Sequence, residues 1–167
     1  MMDPSFKRSV VLLCDHQEEG SFGLILNRPL NMNLNEVLPD LEFDFPLFYG
    51  GPVGKDTLHF IHSKEDMFED ALPVSKGLAY GGDFDRLKEL LSGDTFDLEN
   101  IRFFVGWCGW SAGQLDEELK EKSWIISDVE NEKVFQRKSS KMWEASLNDM
   151  GGTYQLMAKF PEDPSLN

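Results

Sequence analysis

Short apolar runs separated by polar or glycine-containing stretches are the dominant pattern along the chain. Residues 9–14 form a continuous apolar and β-branched run, which predicts a central strand buried on both faces. After a polar turn, residues 22–26 form a second such run, so the two together predict a hairpin. The same reasoning predicts further strands at residues 47–49, 57–61, 77–80, 101–105, 124–126 and 134–135.

Helices are predicted where a capping residue precedes apolar positions spaced three or four apart. The pairs Asn33–Glu36 and Ser111–Gln114 have the spacing of a capping box, in which the first side chain closes the helix start. The predicted helices begin at Asn33, Asp83, Ser111 and Ser140. Because hairpins and helices are mixed without a regular β-α-β alternation, the order predicts one α+β domain around a mixed sheet. This domain spans residues 1–160, and residues 161–167 are predicted to be a flexible tail.

The charge balance narrows the classes of partner. The chain has 167 residues and a net charge of −14, which repels a phosphate backbone and an anionic membrane surface. The densest basic run, Lys133 to Lys141, is flanked by Glu130 and Glu132, so we interpret it as a solvated face. Direct binding of nucleic acid is therefore not expected.

Cysteine content and hydrophobicity point to a cytoplasmic protein. Cys14 and Cys108 are far apart and form no C-x-x-C pair, which favours a reducing compartment. No apolar run approaches the roughly 18 residues that a membrane-spanning helix needs. The pattern therefore predicts no membrane association, and it indicates no cofactor.

Four motifs in a fixed order carry a resemblance to a known family. They are Asp3-Pro4-x-Phe6-x-Arg8-Ser9-Val10-Val11, Gly23-Leu24-Ile25-Leu26-Asn27-Arg28-Pro29, Gly50-Gly51-Pro52-Val53 and Gly106-Trp107-x-Gly109-Trp110-x-x-Gly113-Gln114-Leu115, with Glu118-Leu119 and Trp124 following. The chain resembles the bacterial AlgH/YqgE family over residues 3–151. This resemblance implies an α+β fold with a partly split or barrel-like sheet flanked by helices. It implies no established activity and no catalytic residues, and the family takes its name from a proposed regulator of alginate production.

The start of the chain departs from the family pattern. Members usually have another apolar strand before the Asp-Pro-x-Phe motif, whereas here that motif begins at Asp3. Without the strand, one edge of the sheet would be unpaired, and an unpaired edge can pair with another chain. A homodimer through this edge is therefore a hypothesis.

Ser111 and Cys108 are the candidate nucleophiles. Residues 109–113 read G-x-S-x-G between a predicted strand and a predicted helix, the context of a nucleophile elbow. Against a hydrolase, His16, His59 and His62 all precede Ser111, and the capping box already uses its hydroxyl. Cys108 is expected to be a small buried residue.

The histidines suit a metal poorly. His59 and His62 are three apart on a predicted strand, so they point to opposite faces. Neither has a nearby cysteine, and no metal site is predicted. His16 lies in a polar turn, where a surface or hydrogen-bonding role is expected.

A collective ligand site is the stronger hypothesis. Its candidate residues share a position near the ends of predicted strands, where pockets form; they are Asn27, Arg28, Gly50, Gly51, Trp107, Trp110 and Gln114. The preferred interpretation is a non-enzymatic binding or regulatory module for a small ligand or a protein partner. The alternatives are a hydrolase that uses Ser111 or Cys108 and a scaffold that acts through its acidic surface.

Overall fold

The structure, a computed structural model, describes residues 6–41, 44–63, 67–93, 98–128, 130–136 and 139–160. Its strands are β1 (Val11–Gln17), β2 (Gly20–Ile25), β3 (Pro29–Asn33), β4 (Pro46–Tyr49), β5 (Val53–His62), β6 (Leu72–Ser75), β7 (Leu78–Tyr80) and β8 (Ile101–Ser111). Its helices are α1 (Leu34–Val37), α2 (Phe84–Leu91), α3 (Gln114–Lys120), α4 (Asn131–Val134), α5 (Met142–Met150) and α6 (Gly152–Ala158), with a 3-10 turn at Leu98–Asn100. The predicted tail at 161–167 lies outside the described residues.

The eight described strands form one sheet that curls into a nearly closed barrel. The main path runs β1-β2-β8-β5-β7-β6 with antiparallel pairing, while β4 lies parallel to β8 and antiparallel to β3. The two end strands of the path, β1 and β6, approach each other without joining the ladder. The predicted α+β class with a barrel-like mixed sheet is confirmed.

β8 organises the core because its first half is buried on both faces. Phe103 and Phe104 point to opposite sides and are both completely buried. Phe103 packs with Phe45, Phe60 and the apolar face of α2, and Phe104 packs with Phe48, β1 and β2. A third cluster at the far end of β8 includes Trp110, Cys108 and Leu115 of α3.

Local capping signals were reliable at two helices. The carboxylate of Asp83 accepts a hydrogen bond from the backbone N of Arg86 at 2.7 Å, which starts α2. The backbone N of Asn33 donates to Glu36 Oε1 at 2.8 Å at the start of α1. Both predicted starts are confirmed, because the groups involved lie within one turn of each other.

Three predicted elements were wrong. β8 continues to Ser111, and α3 begins after Gly113, so Ser111 does not cap the helix. The short strand predicted at 134–135 is instead the end of α4. Residues 124–126 form no strand, because no neighbouring strand pairs with them.

Arg102 is a buried charge that sequence reasoning did not single out. Its side chain is 4% exposed, and its guanidinium lies 3.7 Å from the centroid of the Phe48 ring. Nη1 donates to the carbonyl of Val134 at 2.6 Å, and Nη2 donates to the carbonyl of Leu26. Burial lowers the pKa of Arg102 to about 10, so the group stays charged near neutral pH.

Candidate functional site

Gly50 and Gly51 lie where the chain leaves β4 and crosses β8. The N–H of Gly50 donates to Val105 at 2.9 Å, and its carbonyl accepts from Ile25 at 2.8 Å. A Cβ at Gly51 would lie 2.2 Å from the carbonyl carbon of Trp107, closer than any side chain tolerates. The glycine pair therefore allows two backbones to touch, and the polar groups of Gly50 are used within the sheet.

Asn27 and Arg28 fasten the segment that enters β1. Asn27 Oδ1 accepts from the N–H of Val10, and its Nδ2 donates to the carbonyl of Arg8, both at 2.8 Å. Arg28 Nη2 donates to the carbonyl of Lys7 at 3.1 Å. Both side chains act as extensions of the backbone ladder, which is a structural use of these candidate residues.

The two candidate tryptophans lie in different clusters. Trp107 packs against the ring of Phe22, with ring centroids 6.3 Å apart, and covers Gly54 and Gly109. Trp110 packs instead with Trp124 and Phe6, at 5.8 and 6.4 Å between ring centroids. The predicted collective site is thus divided between two parts of the sheet.

Gln114 and Trp110 meet at the carboxylate of Glu118. Glu118 Oε2 accepts from the indole N–H groups of Trp110 at 3.0 Å and Trp124 at 2.6 Å. Gln114 Nε2 donates to Glu118 Oε1 at 2.9 Å. Burial by itself raises the pKa of the Glu118 carboxyl, but the hydrogen bonds from Trp124, Gln114 and Trp110 outweigh it, so the pKa is lowered.

Neither predicted nucleophile is activated. Ser111 Oγ donates to Gln114 Oε1 at 3.2 Å and contacts no histidine among the described residues. Cys108 is completely buried, and burial raises the pKa of its thiol to about 12, while a backbone hydrogen bond and Arg28 act in the opposite direction. A thiol that stays protonated is a poor nucleophile.

His59 and His62 have separate environments, as their spacing predicted. His59 Nδ1 lies 2.7 Å from the Tyr80 hydroxyl and Nε2 lies 2.8 Å from Thr57 Oγ1, and burial lowers the pKa of the ring. His62 is completely buried, with Nε2 2.9 Å from the Gly81 carbonyl. The described residues contain no group of three or more potential ligands arranged for a metal ion.

An open hollow of about 470 Å³ lies between the β1–β2 hairpin and α3. It is lined by His16, Gln17, Glu18, Gly113 and Asp116. His16 spans it, with Nδ1 2.6 Å from Ser21 Oγ and Nε2 3.6 Å from Asp116 Oδ1. Gly113 has φ +71°, and a Cβ there would meet nothing within 4 Å, so bare backbone faces open space.

Sequence reasoning missed this hollow, and none of the predicted ligand-binding residues lines it. Register brings Gly20 opposite Ser111 and Ser21 opposite Trp110, which places the hairpin turn beside the start of α3. The i, i+4 spacing of Gln114 and Glu118 on a helix is a sequence signal for the cluster around Glu118, which does not line the hollow. Nothing local in the sequence links His16 to Asp116, which are 100 positions apart.

The chain belongs to the AlgH-like family (DUF179), whose sequence profile matches residues 1–155. It is similar to bacterial proteins named UPF0301. The protein from Chlorobaculum tepidum is 42% identical, covering all of this chain and 90% of its own. The protein from Bacteroides fragilis is 44% identical, covering 99% of this chain and 85% of its own. The predicted family resemblance is confirmed.

Solved structures support the same assignment. The AlgH protein of Pseudomonas aeruginosa is 28% identical with a TM-score of 0.77, covering 96% of this chain and 88% of that one. The protein DIP2367 of Corynebacterium diphtheriae has a TM-score of 0.75 over 96% of this chain and 86% of that one, and at 22% identity it supports the fold alone. No helix in the described ranges is long and apolar enough to cross a membrane.

Proposed function

We propose that this chain is a non-enzymatic binding module for a protein partner or a small ligand, and that the hollow beside α3 receives a positively charged group. The observation that supports it is the concave surface with exposed carboxylates at Glu18 and Asp116. Among the described residues, no lysine or arginine pairs with either carboxylate. The net charge of −14 attracts basic partners from a distance.

The backbone at Gly113 is accessible from the hollow. A glycine in the left-handed region with no neighbouring atom lets a ligand approach the peptide group closely. The ring nitrogens of His16 can accept or donate in the same place, depending on the tautomer. The Gly113 carbonyl already accepts from the N–H of Glu117 at 3.1 Å, so the carboxylates and the imidazole are the groups that would hold a lysine side chain or a primary amine.

A thermal-shift titration with spermidine and with a tetralysine peptide tests the proposal at low ionic strength. A ligand at about one hundred times its Kd adds about 2.7 kcal/mol of stability. For a domain of this size, the midpoint is expected to rise by roughly 5–10 °C. Raised salt is expected to reduce the shift, because both partners are exposed and charged.

Matched double variants show whether the hollow is the site. Asp116→Asn with Glu18→Gln is expected to remove the shift, while Asp85→Asn with Glu89→Gln on exposed α2 changes the net charge equally and is expected to retain it. Equal shifts in both variants, or none in the wild type, would reject the hollow. Fluorophosphonate labelling of the folded protein separates this proposal from a hydrolase that uses Ser111, and it also tests Ser21, whose hydroxyl contacts His16.

A homodimer through an unpaired sheet edge stays a prediction. The outer edges of β1 and β6 end the sheet path, and Pro73 in β6 lacks an N–H, which leaves β1 as the edge better able to pair.

A further inference from the structure

The segment that follows α3, residues 122–128, has an unusual surface. Lys122 has φ +58° and turns the chain away from the helix, and the N–H of Ser123 donates to the carbonyl of Glu118 at 2.9 Å. Beyond this point the N–H groups of residues 124–128 have no acceptor in the described part of the chain. The sequence pattern predicts a strand here, yet the fold supplies no strand to pair with it.

Two isoleucines make the same segment apolar on the outside. Ile125 is 42% exposed and Ile126 is 74% exposed, whereas Trp124 is held inward by its hydrogen bond to Glu118. Exposed β-branched residues beside unpaired backbone groups have the character of a sheet edge that pairs with another chain.

The order of residue types in the segment indicates that its partner is a second copy of the same segment. Read from Ile125 in both directions, the segment has an apolar residue, then a serine, then a charge: Trp124, Ser123 and Lys122 on one side, and Ile126, Ser127 and Asp128 on the other. In an antiparallel pair centred on Ile125, serine faces serine and Lys122 of each copy faces Asp128 of the other. The segment is therefore complementary to itself in both apolar character and charge.

We propose that residues 122–128 pair with the same segment of a second copy, forming a two-fold symmetric dimer centred on Ile125. The two Ile125 residues face each other as a non-hydrogen-bonded pair. Trp124 of each copy and Ile126 of the other copy then form a hydrogen-bonded pair, in which the N–H of each residue donates to the carbonyl of the other. Within the described ranges of one copy, these backbone groups have no hydrogen-bond partner. The N–H groups of Lys122 and Ser123 keep their bonds to Leu119 and Glu118, so the backbone ladder is confined to Trp124 and Ile126, Lys122 contributes only its side chain, and α3 is undisturbed.

The proposed dimer is weak, and its association is expected to become stronger as the salt concentration rises. A pair of short strands buries less than the ~1,200 Å² typical of a stable interface, so the dimer forms at high concentration. Two copies of net charge −14 repel each other at long range, and salt screens that repulsion. The exposed Lys122–Asp128 pairs contribute little by comparison. Raised salt is therefore expected to strengthen the dimer, the opposite of its effect on cation binding in the hollow.

Sedimentation equilibrium of the whole chain, up to about 1 mM and at low and raised salt, measures the association. Ile126→Pro removes the N–H that pairs across the axis and is expected to weaken association by about tenfold or more. Ile126→Thr keeps the N–H and the β-branch and is expected to stay within about threefold of wild type. Circular dichroism and the thermal midpoint verify that both variants are folded.

Charge reversal tests the register. At raised salt, which screens the change in net charge, Lys122→Glu and Asp128→Lys are each expected to weaken the dimer slightly, because like charges then face each other across the axis. The double variant has the net charge of the wild type and is expected to restore the dimer, because both pairs are remade with reversed signs. A wild-type monomer at the highest concentration, or unchanged association in Ile126→Pro, would overturn the proposal. A double reversal no better than either single one would overturn it as well.

Discussion

The two ends of β8 stabilise charged side chains in opposite ways. Near its start, Arg102 is 4% exposed, stacks on Phe48 and donates to two carbonyls, while its Nε has no hydrogen-bond partner among the described residues. Beside its end, Glu118 is only partly buried, and its carboxylate accepts from three side-chain donors. The first charge links distant parts of the chain within the core, whereas the second organises one local surface.

Arg102 and Glu118 differ in how much they contribute to stability, because Arg102 is more deeply buried. The carbonyls bound by Arg102 belong to Leu26 and Val134, which are 76 and 32 positions away. The donors to Glu118 lie within eight positions of it. Loss of a buried guanidinium leaves carbonyls without donors and a cavity, but water can replace much of what a rim carboxylate provides. Substitution of Arg102 is therefore expected to lower the free energy of unfolding more than substitution of Glu118.

Arg102→Ala is expected to have the largest effect, lowering the free energy of unfolding by about 3–5 kcal/mol. Arg86→Ala is the matched control, because Arg86 is exposed on α2 and pairs with Glu89, and its cost is expected to stay below about 1 kcal/mol. Urea denaturation at neutral pH measures both. A cost below about 1 kcal/mol for Arg102→Ala would show that the core does not depend on the guanidinium.

Glu118→Ala is expected to cost about 1–3 kcal/mol, because two indole N–H groups lose their acceptor. Glu117→Ala is the control one position away, since the side chain of Glu117 forms an exposed pair with Lys120. Loss of the Glu118 carboxylate is also expected to shift tryptophan fluorescence as Trp124 loosens. Equal costs for the two variants would contradict a special role for Glu118.

The pH dependence of this site is the smallest expected effect. The pKa of Glu118 in the folded protein lies below its ordinary value of 4.5, so its charge stabilises the fold above that value. This stabilisation is lost as the pH falls through the folded pKa. Wild type is therefore expected to exceed Glu118→Gln in stability at about pH 7, and the difference is expected to narrow at about pH 3. A constant difference between these pH values would contradict the assignment.

Prediction from sequence succeeded where a signal is local. The apolar run of β1 and the caps at Asn33 and Asp83 each depend on groups within a few positions of one another. It failed at Ser111, where the spacing of a capping box was present but the pairing of β8 with β2 extended the strand instead. It failed again at residues 124–126, because a strand needs a neighbour and strand propensity alone supplies none.

The candidate residues show the same division. The motif glycines were recognisable in the sequence, and the steric reason for Gly51, contact with the backbone of Trp107, became visible only in the fold. Arg28 and Asn27 stay predicted ligand contacts, and the fold adds that their side chains hold the segment at residues 7–10. His16 was expected to be a surface residue, and the fold places it across a hollow from Asp116.

The sequence by itself determined the family, the α+β class, the acidic charge and most of the strands, because periodicity, capping and motif order are written in neighbouring residues. The tertiary structure decided the curl of the sheet, the burial of Arg102, the cluster around Glu118 and the hollow beside α3. Each of these depends on strand register and on contacts between positions far apart in the chain, and register is set by packing that no local pattern contains.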